Sequence, residues 1–176
     1  MEHPEQLIEM LLQRYRDALG RDYDRYKHHV YRVFYNCLLL DDENTHAMKY
    51  AIAAAFHDIG IWTDHTFDYL HPSIKQVKQY LREAGRTEIT EEIAAMISWH
   101  HKISPYKGVY ENSVEIFRKA DWIDVSLGAL SFGANRESIN ENRRKFPNRG
   151  FHWFLVRQTV KNFFRHPLNP VPVFRK

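Results

Sequence analysis

The chain has 176 residues, enough for one domain with a sizeable core, and its ordinary hydrophobic content and negative mean hydropathy predict a soluble globular protein. No apolar run approaches the roughly 20 residues of a membrane span, and the acidic start MEHPEQLIEM is unlike a signal peptide, so we expect neither a membrane partner nor secretion. Cys37 is the sole cysteine, which excludes an internal disulfide and favours a cytoplasmic protein.

The formal net charge of +3 is unevenly distributed along the chain. From Arg136 onward basic residues far outnumber Glu137 and Glu141, whereas the preceding part is mildly acidic. A basic segment can attract an anionic ligand or nucleic acid, or it can be a solvated face. The chain has no long Lys/Arg run and no nucleic-acid motif, so we favour the solvated face and do not expect a nucleic-acid partner.

Helical periodicity dominates the chain, strand-like alternation is scarce, and no internal repeat or linker is visible. The pattern predicts an all-α protein with one domain over residues 1–176. The predicted helices are, in chain order, Pro4–Leu19, Asp22–Leu40, one starting near Asp42, Pro72–Gly85, one capped by Thr90, one with a capping box at Asn112 that ends at Gly128, Asn135–Lys145 and Phe151–Arg165. Residues 59–70 are predicted to form a loop, and the proline-spaced tail HPLNPVPVFRK to be extended.

An adjacent His57 and Asp58 follow the small-residue helix in AAAFHDIGI. The end of a helix carries partial negative charge and free carbonyl groups, so a cation is favoured there. Because the backbone leaves the helix at this point, both side chains can reach one ion. The dipeptide alone is weak evidence, so we looked for other ligand-type residues predicted to lie nearby.

Two such residues lie on predicted buried helix faces. His29 borders the apolar face of the second helix, whereas His28 is turned about 100° away and is expected to be solvated. Asp121 lies within an apolar stripe, where a carboxylate requires compensation by a salt bridge or a metal ion. Asp124, one turn further on, can hydrogen-bond to the outer nitrogen of a histidine ligand.

Three more histidines are predicted near helix ends, where side chains can converge on a cavity. His100 ends the apolar face of the fifth predicted helix, His101 follows it, and His71 directly precedes Pro72. The ordinary alternative for each is a hydrogen-bonded histidine without a ligand role. Two histidines and two carboxylates are enough for a mixed nitrogen and oxygen set, which suits Mn, Fe, Co, Ni or Zn rather than Ca.

Three stretches resemble the HD superfamily of metal-dependent phosphohydrolases. They are HVYRV (29–33), AAAFHDIGI (53–61) and IFRKADWID (116–124). The resemblance covers about residues 22–128, leaving C-terminal helices and the tail in 129–176. It implies an all-α, single-domain HD-type helical bundle and a metal ion bound by His29, His57, Asp58 and Asp121. Asp58, at the centre of this set, is also a catalytic candidate.

Further stretches are similar to subsets of this superfamily. LHPSIKQVKQYL and IAAMISWHHK resemble a subset that binds two metal ions, with His71 opening a helix and His100 and His101 as a paired histidine. The resemblance therefore implies one or two divalent ions. The GYP motif of the cyclic-dinucleotide phosphodiesterase branch is absent. GIWTDHTFDYLHPS and FPNRGFH resemble a group of small HD proteins without a settled substrate.

The resemblance implies hydrolysis of a phosphate ester in a small phosphorylated substrate, for example a nucleotide. A divalent ion would polarise a phosphoryl oxygen and lower the pKa of a coordinated water from about 16 toward 7. Lys102 is a candidate to neutralise the phosphate, and Asp64 or Asp68 to act as general base or acid; each can equally be an ordinary solvated charge. Tyr69 and neighbouring aromatic residues can line a pocket or belong to the core.

Two other functions stay open at this point. Some HD-fold proteins are di-iron oxygenases with a six-ligand His/Asp set similar to the one available here. The other alternative is a non-catalytic module that binds an acidic partner through the basic C-terminal segment. Loss of activity on chelation would argue against such a module, whereas steeply salt-dependent nucleic-acid binding without hydrolysis would favour it.

Overall fold

The computed structural model of the protein describes residues 3–43, 45–66, 68–153 and 156–157. Its helices are α1 (Pro4–Arg14), α2 (Arg16–Leu19), α3 (Tyr23–Leu40), α4 (Ala47–Phe56), α5 (Gly60–Thr63), α6 (Leu70–Glu83), α7 (Thr90–Trp99), α8 (Glu111–Val125) and α9 (Arg136–Lys145), with 3-10 turns at Gly20–Asp22 and Thr87–Ile89. These residues include no β-strand, which confirms the predicted all-α class. No helix among them is both long enough and apolar enough to cross a bilayer.

Helix α3 lies at the centre of the bundle, where it packs against α4, α8 and α9. Its buried residues Tyr26, Val30, Val33 and Cys37 recur every three or four positions, so one face of the helix is continuously apolar. Helix α4 is buried at every position from Tyr50 to Phe56. It packs against α1, α3, α6 and α7, and its alanine side chains leave room for these neighbours. The end of α4 therefore lies inside the protein.

Several predicted helix boundaries were wrong. The first predicted helix is interrupted at Tyr15, whose ring packs against Phe56 and whose hydroxyl donates to Gln76, so α1 and α2 replace one helix. The third begins at Ala47 rather than near Asp42. The predicted loop 59–70 contains α5 and the first residue of α6.

The predicted helix caps were also wrong. Helix α7 begins at Thr90 itself and α8 begins at Glu111, so neither Thr90 nor Asn112 is the residue that precedes its helix. The predicted start of the Asn135–Lys145 helix is right, because the Asn135 side chain accepts hydrogen bonds from the backbone N–H groups of the first turn of α9.

The C-terminal predictions fall largely outside the described residues. Residues 151–153 and 156–157 are helical, in agreement with the first part of the predicted helix Phe151–Arg165. The remainder of that helix and the predicted extended tail lie beyond the part of the chain that the structure describes.

Candidate metal centre

Three helices bring His29, His57, Asp58 and Asp121 together inside the bundle. His29 comes from α3, His57 and Asp58 follow α4, and Asp121 comes from α8. The Nε2 atom of His29 lies 2.9 Å from Nε2 of His57, 3.5 Å from Oδ2 of Asp58 and 3.7 Å from Oδ1 of Asp121. Each of these side chains is at most 3 % exposed. The residues that the family resemblance implied as ligands thus form one buried group.

The backbone after α4 explains how adjacent residues share this group. The His57 N–H still donates to the carbonyl four residues earlier, that of Ala53, as in an α-helix. The Ile59 N–H instead donates to the carbonyl three residues earlier, that of Phe56. This tightening turns the chain out of α4 and into α5. As a result Nε2 of His57 and Oδ2 of Asp58 lie 3.4 Å apart instead of diverging around a helix.

The hydrogen bonds of both imidazoles indicate which ring nitrogen faces the other members of the group. Nδ1 of His29 lies 2.7 Å from the Asp124 carboxylate, and Nδ1 of His57 lies 2.8 Å from the Ala54 carbonyl. Both partners are acceptors, so each Nδ1 carries the hydrogen and each neutral ring has a bare Nε2. Two bare nitrogens 2.9 Å apart repel one another unless a proton or a metal ion compensates them.

The electrostatics of the metal-free group follow from its burial. Burial works to lower the pKa of His29, but hydrogen bonds to Asp124 and Asp58 outweigh it and raise that pKa to about 9. Burial and the neighbouring His29 and His100 lower the pKa of His57 to about 3. For Asp121 burial raises the pKa to about 6. One proton on His29 therefore serves as the cation that the group requires at neutral pH.

A second layer of contacts fixes the orientation of His29. Asp124, which accepts from His29, also accepts from Nε of Arg32 at 2.6 Å and from the Nη2 atom at 3.0 Å. The remaining guanidinium nitrogen donates to the Phe146 carbonyl at 2.8 Å. The predicted role of Asp124 is thus matched by its geometry. Sequence reasoning missed Arg32, because the HVYRV spacing gives no sign that this charge is buried.

His100 and His101 lie on the other side of Asp58. Nε2 of His100 is 3.5 Å from Oδ1 of Asp58, and both atoms are buried without a hydrogen-bond partner. Because Nδ1 of His100 faces the Ile97 carbonyl at 2.7 Å, its Nε2 is also a bare lone pair. Asp58, His100 and His101 have ligand atoms close enough to hold an ion, as do His29, His57 and Asp58. Asp58 is common to both sets, whereas Asp121 belongs to neither, although its Oδ1 lies 3.7 Å from Nε2 of His29.

Tyr69 is a site residue whose role sequence reasoning missed. It is 2 % exposed, and its hydroxyl hydrogen-bonds with Nε2 of His101, whose Nδ1 lies 3.7 Å from Asp121. Burial together with the charges of Asp58 and Asp121 raises the pKa of Tyr69 well above its ordinary value, so the hydroxyl keeps its proton. The sequence showed only an aromatic residue among others, and no local pattern marks its hydroxyl.

The other predicted site residues are exposed or half-buried. His71, Asp64 and Asp68 are exposed, and His71 belongs to neither of the two groups of described residues that could hold an ion. Lys102 is half-buried and directly follows His101. The His101 side chain is 17 % exposed, against at most 3 % for its neighbours in the cluster, so the cluster reaches solvent on the His101 side.

His28 differs from its prediction. It was expected to be solvated, but it is half-buried, and its Nδ1 lies 2.7 Å from the Pro147 carbonyl. The prediction was wrong because the segment after α9 folds back over this face of α3, which the periodicity of α3 alone cannot show.

The fold and the site define an all-helical protein with a buried His/Asp centre able to hold a metal ion. The family model of the HD domain matches residues 26–126, more than half of the chain and the part that contains every ligand candidate described above. The chain therefore belongs to the HD domain family, whose members are generally hydrolases. Comparisons with curated proteins and with solved structures gave no match.

Proposed function

We propose that the protein is a divalent-metal-dependent phosphohydrolase that acts on a phosphate ester of a small molecule, with nucleotides among the candidate substrates. The observation that carries this proposal is the convergence of two imidazole Nε2 atoms, 2.9 Å apart, with two carboxylates in the protein interior, each nitrogen lying within 3.8 Å of both carboxylates. Such a group is costly to bury without a cation, and its mixed nitrogen and oxygen donors suit Mn, Fe, Co, Ni or Zn.

His29, His57, Asp58 and Asp121 would hold the ion. When bound, the ion supplies positive charge that polarises a phosphoryl oxygen and makes water a stronger acid. Asp124 and the Ala54 carbonyl keep the two imidazoles in the tautomer that presents Nε2. The protein's own contribution is thus a fixed, water-poor ligand set.

The substrate would approach from the His101 side, where the cluster reaches solvent. There Lys102 can neutralise phosphate charge, and the protonated Tyr69 hydroxyl holds the His101 ring in place. Asp64 and Asp68, both exposed in the segment that leads to Tyr69, stay as the proposed acid and base groups. Arg118, in contrast, is buried and paired with Glu115, so its charge is already compensated.

A second ion at Asp58, His100 and His101 is supported by the unpartnered atoms Oδ1 of Asp58 and Nε2 of His100. The oxygenase alternative has less support, because its six-ligand set would include His71, which is exposed. Metal analysis of protein purified without chelator separates the two: two irons with an oxygen-sensitive visible absorption would favour the oxygenase.

The decisive experiment compares Asp58→Ala with His46→Ala in a metal-supplemented screen of phosphomonoesters, nucleotides and cyclic nucleotides. Asp58 serves both candidate ion groups, so its loss should reduce metal affinity by more than the roughly 10- to 100-fold typical of residues behind the ligands, and abolish hydrolysis. His46 lies outside the cluster and should change neither. If Asp58→Ala has normal circular dichroism and still binds metal and hydrolyses substrate, the proposal is wrong.

A further inference from the structure

The segment 146–152, here named the C-terminal clasp, lies beyond the family-matched residues and folds back onto the metal centre. Its Phe146 and Pro147 carbonyls accept hydrogen bonds from the side chains of Arg32 and His28 at 2.8 and 2.7 Å. These bonds attach the clasp to α3 on both sides of His29.

Phe151 of the clasp contacts the metal centre directly. Its ring stacks on the His29 imidazole with 4.0 Å between the ring centroids and 18° between the ring planes, and the residue is fully buried. The imidazole is therefore held at its edge by Asp124 and at its face by Phe151. These two contacts restrict the tilt and rotation of the ring, which determine where Nε2 points.

Hydrogen bonds of His152 and Asn148 hold Phe151 in this position. Nε2 of His152 donates to the Asp124 backbone carbonyl at 2.9 Å, while its Nδ1 accepts from the Asn148 side chain. The Asn148 side-chain oxygen in turn accepts from the His152 N–H at 3.2 Å, and its carbonyl accepts from the Phe151 N–H at 3.0 Å. Both ring nitrogens of His152 thus have hydrogen-bond partners in a single tautomer. The bond to the Asp124 carbonyl joins the clasp to α8.

We propose that Phe151 is a positioning residue of the metal centre: through stacking it fixes the His29 imidazole for metal binding and keeps water from that side of the ion. This inference rests on the proposed function, since it requires an ion at His29. It also explains the direction of access, because the clasp covers the His29 side and leaves the His101 side for substrate. Residues outside the family-matched region would then tune the metal affinity of this chain.

The test uses the full chain loaded with Co²⁺, whose visible absorption reports ligand geometry. In Phe151→Leu the imidazole loses its stacked ring while most of the buried volume is kept. We expect an altered cobalt spectrum and a roughly tenfold faster transfer of Co²⁺ to a chelator, in line with other residues that orient ligands. His152→Ala, which removes the hydrogen bond to Asp124, should shift both readouts in the same direction and serves if Phe151→Leu does not fold.

Two matched variants separate positioning from general packing. Phe34→Leu makes the same change at a buried phenylalanine of α3 and should lower stability while leaving the cobalt spectrum and release rate unchanged. Trp153 directly follows the clasp and is 73 % exposed, so Trp153→Ala should change neither readout. If the clasp variants release Co²⁺ at the wild-type rate with the wild-type spectrum, the inference is overturned. If the wild-type protein binds no Co²⁺, the proposed function itself fails.

Discussion

Replacing Arg32 with methionine tests whether the buried Asp124 carboxylate needs the Arg32 charge for the protein to be stable. Arg32 is 1 % exposed and makes a bidentate contact with Asp124, at 2.6 and 3.0 Å, so both charges are compensated inside the protein. Methionine fills part of the space but leaves the Asp124 carboxylate with His29 as its remaining charged partner. We therefore expect a large loss of stability in Arg32→Met.

The magnitude follows from the cost of an uncompensated buried charge. Removing one partner of a buried ion pair typically costs about 3–5 kcal/mol. Because Asp124 keeps its hydrogen bond from His29, we expect the lower end, about 3 kcal/mol, or a decrease of roughly 6–12 °C in Tm for a chain of this size. Arg14 is paired with Glu83 at 2.8 Å, but both side chains are more than 40 % exposed. Arg14→Met should therefore cost much less than Arg32→Met, because solvent screens this pair.

Urea unfolding of the metal-free proteins at pH 7, in excess chelator, measures both differences. Burial works to raise the pKa of Asp124, but the hydrogen bonds from His29 and the charge of Arg32 outweigh it and hold the pKa below its ordinary value. The stabilisation from the ionised Asp124 is thus present above about pH 4 and is lost as the pH falls further. The difference in free energy of unfolding between wild type and Arg32→Met should therefore become smaller in acid. Equal costs for Arg32→Met and Arg14→Met at pH 7 would refute the reasoning.

Three further predictions concern the same region. A Cβ atom at Gly60 would lie 2.5 Å from the Tyr69 carbonyl oxygen and 2.8 Å from Cβ of Pro72. Gly60→Ala should therefore lower the free energy of unfolding in urea by about 1–3 kcal/mol, and an unchanged midpoint would count against this packing. Since His29 has a pKa of about 9 in the metal-free protein, its proton must leave before an ion binds. The apparent metal affinity in a competition titration should therefore rise about tenfold per pH unit from about pH 7 toward 9, and a pH-independent affinity would contradict this. Chelation of protein shown to be metal-loaded should lower Tm without unfolding the helices, and an identical Tm would argue against a tightly bound ion.

The sequence by itself determined the helical class and identified most of the candidate metal ligands, because those properties are local. Apolar spacing of three and four residues specified the main helices, and it placed Asp121 on a buried face where a carboxylate needs a partner. The position of His57 and Asp58 at the end of an apolar helix indicated that they could share an ion. The HD resemblance then joined them to His29, and the family comparison agrees over residues 26–126.

Local patterns failed where long-range packing decides the environment of a residue. The hydrogen bond between His29 and Asp124 joins residues 95 positions apart, and nothing within α3 shows that Arg32 is buried against the same carboxylate. Tyr69 is similar, because its hydroxyl reaches His101 only when α6 packs on α7. His71, a candidate ligand from its position before Pro72, is exposed, and its role as a ligand stays a prediction.

The stacking of Phe151 on His29 depends on tertiary structure most of all. The two rings meet because the segment after α9 returns across α3, and the periodicity of either segment alone cannot specify that return. Periodicity gives the face of a helix that is buried; the docking of helices and connecting segments decides which side chains meet across that face. The sequence thus identified the candidate ligands, whereas the tertiary structure decided which residues orient them, which residues cover them and on which side the cluster reaches solvent.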